Sequence, residues 1–128
     1  MKRSVVSKNY YSIYMKRLEQ VNELIKEELS KIIDRMIEFP DGLMITLTRM
    51  EVSEDKLYAN AYVSSLSMRD DGVLEIEILK TLKKNVYGIQ QALNKKLRMR
   101  PVPKIRFFID EAEKHRERIE KLLSGLVE

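Results

Sequence analysis

Residues 78–109 read ILKTLKKNVYGIQQALNKKLRMRPVPKIRFFI, a helix pattern running into a strand pattern. Ile78, Leu82, Val86, Ile89, Leu93 and Leu97 step by three or four, the spacing of one apolar stripe on an α-helix. Pro101 and Pro103 stop that pattern, since proline lacks the donor that a helix interior needs. Ile105, Phe107 and Ile109 then alternate with Lys104, Arg106 and Phe108, the two-residue period of a strand with one covered face. Gly88 falls mid-helix, where glycine costs roughly 1 kcal/mol relative to alanine, so a kink or a close packing contact is expected there.

Working upstream, Leu18, Val21, Leu24, Ile25, Leu29, Ile32, Ile33 and Met36 mark a long first helix between Leu18 and Ile37. Phe39-Pro40-Asp41-Gly42 ends it. Leu43 to Val52 alternates as a strand, but its apolar phase slips from Leu43, Ile45 and Leu47 to Met50 and Val52, which predicts a bulge near Thr48-Arg49. A turn at Ser53–Lys56 leads to a second strand with Ala59, Ala61 and Val63 on one face, so the two strands should form an antiparallel hairpin. Met68–Gly72 is a polar loop, and Ala112, Ile119, Leu122 and Leu123 outline a short closing helix.

The order helix, strand, strand, helix, strand, helix predicts an α+β domain with helices on one face of a small mixed three-stranded sheet. The connection into the last strand should cross over right-handedly. One domain covers residues 13–123, with a basic and aromatic tail at 1–12 and a short tail at 124–128.

The 128 residues are 44% hydrophobic and 34% charged, the balance of a globular protein. No apolar run reaches membrane-spanning length and the first residues carry no secretory signal, so a cytoplasmic location without membrane contact is the expectation. The absence of cysteine excludes disulfides, thiolate metal sites and a cysteine nucleophile. Net charge is only +4, yet its placement is uneven: Ile78 to Ile109 holds nine Lys or Arg and no carboxylate, whereas Glu38 to Glu77 holds nine carboxylates and three cations. Such segregation points to a basic side that attracts a polyanion, and phosphate backbones fit it.

Enzyme readings find little support. His115, the one histidine, lies among charged residues of the closing helix with no partner at ligand or triad spacing. Asp70-Asp71 and Glu54-Asp55 fall in loops and turns, where Asp is favoured for geometry alone, and the glycines at 42, 72, 88 and 125 form no phosphate-cradling loop. No metal or cofactor is expected. Nothing resembles a heptad seam, so a monomer is expected.

The cations carry more. Lys83, Lys84, Lys95, Lys96, Arg98 and Arg100 lie on the second helix and its end, followed by Lys104 and Arg106 on the strand face opposite the apolar set. Part of this reflects cations complementing a helix C-terminus, but nine without a counter-charge exceed that need. Near the N-terminus, Lys8, Tyr10, Tyr11, Tyr14, Lys16 and Arg17 either stack on unpaired bases and hold phosphates or pack on the domain; both readings stand.

Four patches resemble the ribosome-binding factor A family, in the right order from about Arg17 to Leu123. They are Val21–Ser30, Ile45–Asp55, Ala59–Ser64 and the most specific, Leu97-Arg98-Met99-Arg100-Pro101-Val102-Pro103-Lys104-Ile105-Arg106-Phe107 leading into Asp110. The resemblance implies a type II KH-like fold in which a helix-kink-helix replaces the RNA-clamping loop, with Gly88 of Val86-Tyr87-Gly88 at the kink position. It implies a non-enzymatic factor without cofactor. Such a factor binds 16S ribosomal RNA in free 30S subunits or their precursors, near the 5′-terminal helix and the decoding region. It aids late small-subunit maturation, including 16S 5′-end processing, leaves on maturation, and matters in the cold. Gln20 and Asn60 replace a common arginine and a common lysine of the family.

From the two routes together, RNA contacts are expected through Lys16, Arg17, Lys83, Lys84, Lys95, Lys96, Arg98, Arg100, Lys104 and Arg106. The competing readings are an RNA-binding module that acts on messenger or transfer RNA, and an adaptor whose basic face meets an acidic protein.

Overall fold

The computed structural model describes the backbone of residues 2–40, 43–65 and 72–127, and the side chains of 12–40, 43–65 and 73–125. The elements run α1 (Lys2–Met36), β1 (Ile45–Val52), β2 (Tyr58–Ser65), α2 (Gly72–Lys84), α3 (Val86–Lys96), β3 (Lys104–Ile109) and α4 (Glu111–Val127). The strands form one sheet in the order β1-β2-β3, with β1 antiparallel and β3 parallel to β2. The α+β expectation therefore holds.

Hydrophobic periodicity builds the core. Ile25, Leu29, Ile32 and Ile33 of α1, Leu74, Ile78 and Leu82 of α2, and Ile89 and Leu93 of α3 are buried together with Leu97. They meet the inner sheet face of Leu47, Met50, Val52, Ala59, Ala61, Val63, Ile105 and Phe107. Helix α1 lies on β1 and α3, while α2 lies on β3. Removing these side chains from water is the main stabilising term, worth roughly 1.5–3 kcal/mol for each fully buried aliphatic chain.

The phase slip in β1 is a bulge, as the alternation predicts. Leu47 pairs with Val63 and Arg49 with Tyr62, leaving Thr48 without a partner in the ladder. The extra residue puts both Leu47 and Met50 on the buried face although they are three positions apart.

Two boundaries differ from the sequence reading. Helix α1 starts at Lys2, inside the stretch 1–12, and α4 continues to Val127, inside 124–128. No glycine or proline interrupts residues 2–36, and once a helix is nucleated each added residue gains a hydrogen bond. The closing helix is thus 17 residues long, and Ile119, Leu122 and Leu123 on it are exposed.

The expected kink at Gly88 is corrected. The break between α2 and α3 falls at Asn85, and Gly88 is the third residue of α3. The Asn85 side-chain amide donates to the Thr81 carbonyl at 2.8 Å, and its backbone amide approaches both Thr81 and Leu82 carbonyls. Asparagine competes for backbone partners in this way, which glycine cannot do. A Cβ built on Gly88 would meet only the Met36 Cε at 3.6 Å, an ordinary contact. The turn at Asp41-Gly42 and the loop at Met68–Asp71 lie outside the described residues.

Candidate nucleic-acid interface

The structure separates the expected cations into distinct places. Lys83 and Lys84 end α2 and are exposed. Lys95 and Lys96 end α3, and Arg98 follows just beyond it, all three exposed. At 1.5 Å per helical residue the two groups stand roughly 15 Å apart along α3. Lys16 and Arg17 are exposed on α1. Lys104 and Arg106 project from β3 on the sheet face away from the helices, because their neighbours Ile105 and Phe107 face the core. The ten cations therefore form no single surface.

Segment 97–103 is held by groups that the spacing of apolar residues does not reveal. The Gln90 amide donates to the Pro103 carbonyl and accepts from the Ile105 amide, each at 3.0 Å, so one side chain joins α3 to the start of β3. Arg100 donates to the carbonyls of Leu97 at 2.8 Å and Met99 at 2.7 Å, and reaches that of Asn94 at 3.3 Å. It reaches one carbonyl of the last turn of α3, that of Asn94, and two in the segment just beyond the helix. Arg100 thus caps its own backbone with part of its guanidinium while remaining exposed. The Arg100–Pro101 peptide is cis.

Lys96, Leu97, Arg98 and Met99 border a depression of about 330 Å³ shared with Leu24 and Glu28 of α1. Among the described residues, Lys83, Lys84, Lys95, Lys96 and Arg98 make no ion pair. The last carbonyls of α2 and α3 favour cations locally, by about 0.3–1 kcal/mol each where exposed. These five exposed cations, in two groups at the ends of α2 and α3, make no ion pair among the described residues that would compete with phosphate.

On α1, the Tyr14 hydroxyl donates to the Glu54 carbonyl at 3.4 Å, and Asn22 accepts from the Val52 amide at 3.0 Å. Tyr14 therefore lies along the turn after β1, in keeping with the packing alternative for that tyrosine. The side chains of Lys8, Tyr10 and Tyr11 lie outside the described residues.

Asp110, 5% exposed, is the one buried carboxylate of the described residues. Its Oδ2 is 2.5 Å from the Thr48 hydroxyl, its Oδ1 accepts from the Glu113 amide at 3.0 Å, and the Arg49 guanidinium stands 3.8 Å away. Burial alone pushes the Asp110 carboxyl up, but the Thr48 hydroxyl, the Glu113 amide and Arg49 together outweigh it and hold the carboxyl below the usual range. This is an N-cap that also ties α4 to the bulge of β1. The role is structural, as is the Lys114–Glu75 ion pair of 2.7 Å that joins α4 to α2. His115 is exposed on α4. Among the described residues no group of three metal-ligating side chains occurs, and no helix is long and apolar enough to cross a membrane.

The comparisons with known proteins agree with one another. The family model for ribosome-binding factor A matches residues 17–123. The ribosome-binding factor A of Hahella chejuensis is 31% identical over 110 residues, covering 84% of this chain and 82% of that protein. That of Natranaerobius thermophilus is 33% identical over 110 residues, covering 86% and 82%. Among solved structures, the crystal structure of ribosome-binding factor A from Thermus thermophilus aligns with a TM-score of 0.61 at 23% identity, covering 72% of this chain and 93% of that one. A homology model of the Thermus thermophilus protein, as fitted into a cryo-electron-microscopy map of its 30S complex, aligns at 0.57 and 24% identity, covering 70% and 91%.

Proposed function

Because the chain belongs to the ribosome-binding factor A family, we propose that it binds the small ribosomal subunit and its precursors through 16S ribosomal RNA. It acts there as a non-catalytic assembly factor in the cytoplasm, working as a monomer without cofactor. By occupying a late intermediate it favours maturation, including 16S 5′-end processing, and its contribution is greatest in the cold, where misfolded RNA escapes slowly.

One observation carries this reading: Lys83, Lys84, Lys95, Lys96 and Arg98 are exposed and make no ion pair among the described residues. Cations so placed can neutralise phosphates on a folded RNA, releasing counterions; they fix position and orientation while carrying no base sequence. Selectivity for the subunit then comes from RNA shape, since A-form helices hide their base edges. The Thermus thermophilus relative, fitted into a 30S complex, supports the choice of subunit. Lys16 and Arg17 supply a further contact along α1, while Arg100 shapes the end of α3 that presents Arg98.

Sucrose-gradient sedimentation of a cold-grown lysate tests it. The protein should travel with free small subunits and precursors, be absent from translating ribosomes, and leave the subunit fraction on nuclease treatment. Recovery only in the soluble top fraction at low salt would overturn the proposal, and association that survives nuclease would favour a protein partner.

A further inference from the structure

The sheet has a second face that no helix covers among the described elements, and its composition is unusual for a surface open to water. Adjacent strands align Arg49 with Tyr62 and Tyr62 with Phe108; the next row is Glu51, Asn60 and Arg106, and the next Tyr58 and Lys104. The Tyr62 and Phe108 rings stack with centroids 5.6 Å apart at 29°. The Arg49 guanidinium lies 4.0 Å over the Tyr62 ring, and that of Arg106 lies 4.2 Å over the Tyr58 ring. Arg106 is aimed by the Asn60 side chain, whose oxygen accepts from its Nε at 3.0 Å.

Two of these rings are substantially open to solvent, Phe108 at 41% and Tyr58 at 38%. Even stacked on Tyr62, the Phe108 ring leaves 41% of the residue in water, and a flat apolar ring flanked by cations fits a flat π-face joined to phosphates. The charge balance points the same way. Glu51 is engaged by Arg49 at 3.0 Å, whereas Arg106 is held by a neutral amide and Lys104 has no ion pair among the described residues. The face thus keeps two cations beside two exposed rings.

We infer that this open sheet face is a stacking platform for an unpaired stretch of RNA, with one base resting on Phe108, another on the Arg106 guanidinium that Tyr58 supports from beneath, and phosphates meeting Lys104. A duplex does not suit it, because paired bases already stack on one another and show no free π-face. The platform lies on the opposite side of the sheet from Lys95, Lys96 and Arg98, so it goes beyond the subunit contact proposed above, and either can fail while the other stands.

Fluorescence anisotropy of a labelled ten-nucleotide oligouridylate, and of a ten-base-pair RNA duplex, tests the inference on the full chain. Phe108→Leu removes the ring while keeping an apolar side chain of similar size, and Phe108→Tyr keeps the ring. The single strand should bind about tenfold more weakly to Phe108→Leu than to the parent, in the range found when one base loses its aromatic partner. It should bind unchanged to Phe108→Tyr. Tyr58→Leu should weaken it as well, and neither leucine variant should alter the affinity for the duplex. No single-strand binding by the parent, equal binding by parent and both leucine variants, or equal weakening on single strand and duplex would each overturn the inference. Thermal midpoints matching the parent show that the partly exposed positions tolerate the changes, and Tyr58→Leu supplies an independent second reading should Phe108→Leu unfold.

Discussion

Replacing Asp110 by alanine removes three contacts of one buried carboxylate. The cap to the Glu113 amide at 3.0 Å is of a kind whose loss costs about 1 kcal/mol. The hydrogen bond from Thr48 at 2.5 Å is charge-assisted, a class worth roughly 1.5–3 kcal/mol. The Thr48 hydroxyl keeps an alternative acceptor, the Tyr62 carbonyl at 3.1 Å, so its loss falls at the low end of that range. Because the contacts share one carboxylate they do not add fully, and a combined loss of about 2–3 kcal/mol results. For a chain of this length that lowers the unfolding midpoint by roughly 8–12 °C at pH 7.

The same carboxylate fixes the direction of the pH effect. The Asp110 pKa is lowered in the folded protein, so its ionised form stabilises the fold above the unfolded pKa, and that contribution is lost as pH falls through the folded value. The difference between parent and Asp110→Ala should be full at pH 7 and narrow once pH drops below about 4, the ordinary Asp pKa. Thermal unfolding followed by circular dichroism across this range measures both. A midpoint change of under about 2 °C at pH 7, several times smaller than the expected one, would refute the reasoning; so would a difference that does not shrink in acid.

Further perturbations separate structural from binding roles. Arg100→Ala should lower stability by about 1 kcal/mol through loss of carbonyl capping at α3, measured by urea unfolding, because its guanidinium donates to the carbonyls of Leu97, Met99 and Asn94. Gln90→Leu strands the Ile105 amide and the Pro103 carbonyl and should cost about 1–3 kcal/mol by the same assay. Leu29→Ala, at a fully buried position of α1, should cost about 2–5 kcal/mol.

Most of the fold was legible because period and face are written residue by residue. The three-and-four spacing of Ile25, Leu29, Ile32 and Ile33 foretold the buried stripe of α1, and the phase slip between Leu47 and Met50 foretold the bulge. The break at Asn85 was not legible in the same way. The apolar stripe runs through it from Leu82 to Ile89 without a gap, and at the break the Asn85 side-chain amide shares the Thr81 carbonyl with its own backbone amide. Gly88, the weak point by propensity, is overridden by the surrounding helix.

The cations were legible as residues and not as a surface. Strand alternation placed Lys104 and Arg106 on the face opposite the core, which separates them from the helix-end group. The capping role of Arg100 depends on how segment 97–103 folds back, and the Gln90 bridges depend on the packing of α3 beside β3, neither of which follows from spacing. The alignment of Arg49, Tyr62 and Phe108 needed the strand order, since each of the three lies in a different, separated segment of the sequence.

The central claim is that exposed cations at the end of α3 hold small-subunit RNA. It is tested most directly by measuring affinity for purified small subunits over a range of salt, for the parent and for the triple variant Lys95→Ala, Lys96→Ala, Arg98→Ala. If the three cations each neutralise a phosphate, the variant should bind more weakly and its log-affinity against log-salt slope should be shallower by about 2–3. Equal affinity and equal slope for the two proteins would contradict the account.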